Sequence, residues 1–388
     1  FSSKATNLVT GDNNNEEDAF WFDIGAQSVS RISGAFGSPS AASRRPKLSK
    51  TGRYIVFESL ANNLISGDVN DGRSDIFFYD TQTNTIEKVV GFLSSAPNGN
   101  SYRTSISEDG RYVLFDSDAS NLVSGDTNGV SDVFLVDRTA QTISRVSVGG
   151  SGQQLAGASL DASMDENLKN IAFQTNSNAS GTAQTHSQIL LYDRQAGTST
   201  LITQIQGNVG NGNSTAAKIS DNGKVVAFDS LATNLIIAGR NGFKNIYAYD
   251  LVSSSISLVS STEKGLNIND DSFGSSISGN GRYVSFVTQA SNVSNDTENC
   301  IARPVLKDRL TGKVTHLYTK QGVDCGAGAT TTAFASDGEV VVIASKTSSL
   351  VSGDNNNMED IFLFSNPLRR ENYRMNPWRT LVSRSRLP

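Results

Sequence analysis

Three features of the chain predict an all-β fold: a short pattern that recurs along its length, a period of about 57 residues between copies, and four strand-length runs within each period. A unit of this kind cannot bury both of its faces alone, so repeated units must stack. Stacked about an axis, they make a β-propeller of four-stranded antiparallel blades. The copies are SKTGRYIVF at 49–57, SEDGRYVLF at 107–115, SDNGKVVAF at 220–228, SGNGRYVSF at 278–286 and ASDGEVVVI at 335–343, with a weaker ENLKNIAF ending at Phe173. Their closing residues, Phe57, Phe115, Phe173, Phe228, Phe286 and Ile343, are 58, 58, 55, 58 and 57 residues apart.

The unit around Gly110 shows the elements in order. The polar turn before Arg111 separates strand a from strand b, and RYVLF at 111–115 is β-branched and aromatic, of strand rather than helix length. The loop at 124–131 leads into strand c, DVFLV at 132–136. A turn on Asp137 then leads into strand d at 142–146, where apolar residues alternate with polar ones. No stretch has the length and period of an amphipathic helix.

The 388 residues fall just short of seven periods. FSSKATNLVTGDNNNEEDAFWFD at the start aligns with FESLANNLISGDVNDGRSDIFFYD from Phe57, so the sequence opens at the end of a strand b. Seven blades are therefore expected, the first incomplete, in one propeller domain spanning 1–385. Residues preceding Phe1 are expected to read approximately S-x-D-G-R-Y-V-A. A six-bladed ring closed by the first 33 residues is the alternative. An Arg-rich C-terminal tail, 366–388, overlaps the last strand and carries Arg369, Arg370, Arg374, Arg379, Arg384 and Arg386. It reads as a solvated peripheral strand and chain end, or as a contact for an anionic polymer or neighbouring chain.

The succession S-x-D-G-R-Y-V-x-F, A-x-N-L-V-S-G-D-x-N and D-I-F-x-x-D resembles the TolB-like propeller repeat, a WD-type relative found in periplasmic and secreted bacterial proteins. The resemblance covers essentially 1–365 and implies the propeller fold and an extracytoplasmic setting. The unit here is longer than the TolB-type repeat, the extra length lying in its loops. Propellers host many unrelated activities, so the resemblance names no single function.

Charge narrows the options. Lys and Arg number 33 against 38 Asp and Glu, a net charge of −5 with no basic block, which disfavours nucleic-acid binding. No apolar run reaches the length of a membrane-spanning helix. Cys300 and Cys325 lack a CxxC context and have neither histidine at ligand spacing. In a Ser/Thr/Asn/Gly-rich chain they read as a disulfide between a b-to-c loop and the next d-to-a loop, again favouring a periplasmic, cell-surface or secreted location.

The most specific polar element is the b-to-c loop. Asp12, Asn14 and Asp18 recur as Asp68, Asn70 and Asp75, as Asp126, Asn128 and Asp132, and as Asp354, Asn356 and Asp360. Two carboxylates and an amide on a Gly-preceded loop can wrap Ca²⁺, which takes six to eight oxygens. The same residues also cap turns through their own backbone. Both readings stand at this point, although GRNGFKN at 239–245 lacks any carboxylate, so one loop closes without a metal. The aspartates ending strand c (Asp23, Asp80, Asp137, Asp193, Asp250 and Asp308) read as turn caps.

Signals for catalysis are thin. His186 and His316 have no visible acid or base partner, no serine sits in a G-x-S-x-G elbow, and GNVGNG at 207–212 reads as a d-to-a loop rather than a phosphate cradle. Trp21 alternates with Phe20 and Phe22 and reads as core. The expected function is a non-catalytic propeller that binds a protein or glycan through the face bearing the b-to-c and d-to-a loops. The alternatives are a structural subunit that self-assembles into a filament or envelope structure, and a propeller enzyme acting on polysaccharide or peptide.

Overall fold

The closing aromatics of the repeat are among the largest fully buried side chains: Phe57, Phe115, Phe173, Phe228 and Phe286 are each no more than 1% exposed, with Ile343 fully covered. Burial on that scale holds each strand b at the centre of a sheet, and removing one such ring costs about 3–5 kcal/mol. The computed structural model describes residues 1–34, 39–68, 72–236, 241–293, 302–317, 329–335, 337–346, 350 and 359–369. These residues form seven consecutive antiparallel sheets, a seven-bladed β-propeller.

Blade 1 contains Ser2–Ser3, Asp18–Asp23 and Ser28–Arg31, which are the end of strand b followed by strands c and d. It is a sheet of its own, which removes the six-bladed alternative. Blades 2 to 6 each have strands a to d. They are Ser43–Leu48, Tyr54–Ser59, Asp75–Asp80 and Thr85–Lys88; Ser101–Ile106, Tyr112–Ser117, Asp132–Asp137 and Thr142–Arg145; Ser159–Met164, Asn170–Ser177, Ala183–Asp193 and Thr198–Leu201; Ser214–Ile219, Val225–Ser230, Asn245–Asp250 and Ser255–Leu258; and Ser272–Ile277, Tyr283–Thr288, Arg303–Asp308 and Val314–His316. Blade 7 shows Ala329–Phe334, Val340–Ser345 and Asp360–Ser365. The tail from 370 onward lies outside the described residues.

The a-to-b turns of blades 2 to 7 take glycine at their positive-φ position in every blade but blade 4, where Leu168 takes it. Gly110 has φ +68°, and a Cβ there would lie 2.6 Å from the Tyr54 ring of the preceding blade, so turn shape and blade packing both require it. Cores form between blades rather than within them. Val56, Phe78, Phe115 and Phe134 share one cluster across blades 2 and 3. Equivalent clusters join each consecutive pair up to blades 6 and 7. Among the described residues, none joins blade 7 to blade 1. The inner strands flanking that junction, Ser43–Leu48 and Ala329–Phe334, are more exposed than the four between them, and Leu48 stands 50% exposed.

Every complete inner strand except that of blade 7 carries a bulge at its third residue, where the backbone turns to positive φ: Arg45, Arg103, Asp161, Ala216 and Gly274. The bulge frees one backbone N–H, which a side chain of the preceding blade accepts. Arg103 N–H donates to Glu58 at 2.6 Å, Asp161 to Asp116 at 3.2 Å, Ala216 to Gln174 at 3.4 Å and Gly274 to Asp229 at 3.0 Å. Each acceptor directly follows the closing Phe of its strand b, so one sequence position latches four pairs of blades.

Candidate functional site: the loop face

The b-to-c and d-to-a loops share one face, and a repeated amide holds them together. Asn121 of the A-x-N-L segment donates to Ala96 O at 2.9 Å and accepts from Asn98 N at 2.9 Å; Asn234 and Asn292 repeat both bonds. Asn63 accepts the corresponding bond from Ser40 N. Loop closure on this face is therefore a property of the backbone and its caps.

The Asp-x-Asn loops are closed from within. In blade 2, Lys88 of strand d places its Nζ 3.0 Å from Asp68 and 2.6 Å from Asp75. In blade 1, Arg31 lies 3.2 Å from Asp12 and 3.3 Å from Asp18. In blade 3, Arg145 sits 3.7 Å from both Asp126 and Asp132. Each basic group lies within ion-pair distance of both carboxylates of its loop. Burial pushes Asp75 and Asp132 above the usual carboxylate range despite these cations.

The amides have separate work. Asn14 and Asn128 each accept a backbone N–H two residues on, and each donates both to the strand-c aspartate and to a carbonyl of the following d-to-a loop, Pro39 O and Leu155 O. Ser33 and Ser147 complete the site by donating to Asp18 and Asp132. Asn70, Asp354 and Asn356 lie outside the described residues, as do Cys300 and Cys325; Asp360 begins the strand c of blade 7. Among the described residues, no group of three or more His, Cys, Asp or Glu side chains is arranged to hold a metal.

Blade 5 builds the same closure without charge. Asn241 accepts from Phe243 N and donates to Ile268 O, Asn245 donates to Asn241, and Ser260 donates to Asn245. Leu258 pairs with Tyr247 where Arg145 pairs with Phe134. The loss of both the carboxylates and the cation leaves an apolar surface. Leu231 and Phe243 of this b-to-c loop are 44% and 37% exposed, and Leu266 of the next d-to-a loop is 62% exposed. Ile205 and Val209 lie beside this loop on a small hairpin, Gln204–Ile205 with Asn208–Val209: Asn234 donates to Val209 O, and Leu231 N donates to Asn213 O just beyond it. The sequence signal for this hairpin, missed within the d-to-a loop, is Gln206-Gly207 between two short runs; in the structure both take positive φ, as a two-residue turn requires.

The strand-c aspartates are turn caps. Asp137 accepts from the backbone of Thr139 and Ala140, and Asp23, Asp193, Asp250 and Asp308 do the same in their blades. Arg111 of the repeat clamps Asp137 from the side at 2.6 Å and holds it well below the usual range. The histidines do not meet: His186 is exposed in the lengthened strand c of blade 4, and His316 is buried in strand d of blade 6 at the position of Arg145. Trp21 is half-buried against the cluster of Ile55 and Phe57.

Similar folds occur in proteins of very different activity. The β-propeller domain of the Trilobed protease from Pyrococcus furiosus matches with TM-score 0.55 at 10% identity, over 90% of this chain and 87% of its own. Oligogalacturonate lyase from Vibrio parahaemolyticus matches with TM-score 0.55 at 10% identity, over 91% and 84%. The chain is a β-propeller. TolB from Acinetobacter baumannii aligns with TM-score 0.46 at 17% identity over 81% of this chain, which spans 62% of that protein's length. No family model matches the propeller chain, and neither does any curated protein.

Proposed function

We propose that this propeller is a non-catalytic, extracytoplasmic binding protein that recognises a protein partner through the loop face of blades 5 and 6. The observation that carries the reading is the exposed apolar group of Leu231, Phe243 and Leu266 with the Ile205–Val209 hairpin. It lies where the loop closure has lost its charges, and clustered apolar groups rimmed by polar loops mark protein-binding surfaces. A glycan site would call for stacked aromatic platforms, and Phe243 is the one aromatic among these five. The resemblance of the repeat to TolB-like proteins and the Cys300 and Cys325 pair support the extracytoplasmic location.

The test is affinity capture from the native source with the wild-type chain, a Phe243→Ser/Leu266→Ser variant and a Val252→Ser control on the opposite face. The reading expects one protein to be retained by the wild type and the control and lost by the patch variant. Retention by all three, or no retained protein, contradicts it.

A further inference from the structure

The bulged inner strands place a set of charged side chains around the propeller axis, near the loop face. Arg45 reaches Glu58 at 3.2 Å, Arg103 reaches Asp116 at 2.9 Å, and Lys218 reaches Asp161 at 3.0 Å. Arg45 and Arg103 make these contacts through Nη1 alone, so that among the described residues the Nε and Nη2 edge of each guanidinium has no partner. That edge is the one that fits a carboxylate or phosphate in two parallel hydrogen bonds.

Lys47 is the exception in this set. It belongs to the inner strand of blade 2 and lies within the field of Lys218, Asp161, Glu58 and Arg45. Its side chain is exposed to solvent, yet protein crowds it. That enclosure, and then the neighbouring Lys218, pushes its ammonium down. Among the described residues its ammonium makes no hydrogen bond or ion pair. Four cations thus face three carboxylates here. Burial raises Asp116 to about 7, so even that balance is not fully negative at neutral pH. The set therefore carries a local excess of positive charge in a chain of net charge −5, which an anion can balance.

We propose that the mouth of the central channel binds an oxyanion, a carboxylate or phosphate group, held by Lys47 and Lys218 and the open edges of Arg45 and Arg103. This site is separate from the apolar surface of blades 5 and 6, and neither depends on the other.

The experiment is thermal unfolding at low ionic strength with citrate, with inorganic phosphate, and with sodium chloride at matched ionic strength. At a large excess over Kd the bound anion should raise the wild-type midpoint by roughly 2–4 °C beyond chloride. A response to citrate alone identifies a polycarboxylate, and a response to phosphate alone a phosphate group; either supports the site. Lys47→Met and Lys218→Met should each abolish the response. Lys47→Met should also melt no lower than wild type without anion, because it removes a cation that has no partner. A wild-type midpoint that tracks only ionic strength, or a response that survives both substitutions, overturns the proposal. Isothermal titration of wild type with the effective anion should give one site per chain; a stoichiometry well above one also overturns it.

Discussion

Blades 3 and 5 solve the same problem at the same backbone positions with opposite chemistry. Blade 3 encloses Asp132 with Asn128, Ser147 and Arg145; blade 5 encloses Asn245 with Asn241 and Ser260, and puts Leu258 where Arg145 would be. The asparagine turn and its bond to the next loop, Leu155 O or Ile268 O, are common to both. The shared part is therefore what closes the loop, and the two carboxylates with their one cation are a set that blade 5 does without. The strand-b latch repeats this, with Asp116 in blade 3 and neutral Gln174 in blade 4 performing the same bond.

This comparison breaks most visibly if one member of a charged set is removed. Lys88→Met would leave Asp68 and Asp75 buried without a cation, and should destabilise the chain by about 3–5 kcal/mol in denaturant unfolding. Replacing the whole set by uncharged groups, with Asp68→Asn, Asp75→Asn and Lys88→Leu together, should return stability to within about 1.5 kcal/mol of wild type. A triple variant as unstable as Lys88→Met would mean that the charges themselves hold the loop.

The latch gives a smaller, pH-dependent effect. Asp116 is buried and its pKa is raised from 3.8 to about 7. The folded state therefore holds the proton more tightly than the unfolded state does. Its contribution is full below pH 4 and is lost as pH rises through 7. Asp116→Asn has no proton to lose, so relative to wild type it should gain about 2 kcal/mol between pH 5 and pH 8. Paired melting curves across that range would show it, and parallel curves would contradict the assignment.

Much of this architecture was legible in the sequence because it recurs at a fixed period. The closing Phe residues, the Gly110-type turns and the aspartates ending strand c each recur with one residue type at one position in most blades, Ile343, Leu168 and Ser365 being the departures. The charged sets were not legible. Asp132 and Arg145 are 13 residues apart on different strands, and only strand pairing shows that they meet. The two readings of the Asp-x-Asn loops stayed open for the same reason: their cation comes from strand d. The latch was hidden by its own variety, since Glu58, Asp116, Gln174 and Asp229 share a position and an acceptor oxygen but span three residue types. The inner-strand bulges left no glycine signature either, as Gly274 is the only glycine among Arg45, Arg103, Asp161 and Ala216.

The central claim is that the basic side chain of strand d, rather than a metal, occupies the space between the two loop carboxylates. Thermal midpoints of wild type and Lys88→Met, each measured with chelator and with millimolar Ca²⁺, test it directly. The wild type should melt at the same temperature in both, because Arg31, Lys88 and Arg145 already hold the aspartates. Lys88→Met should gain from Ca²⁺, since the vacated space between Asp68 and Asp75 becomes open to a cation. A wild-type midpoint several degrees higher in Ca²⁺ than in chelator would contradict the account.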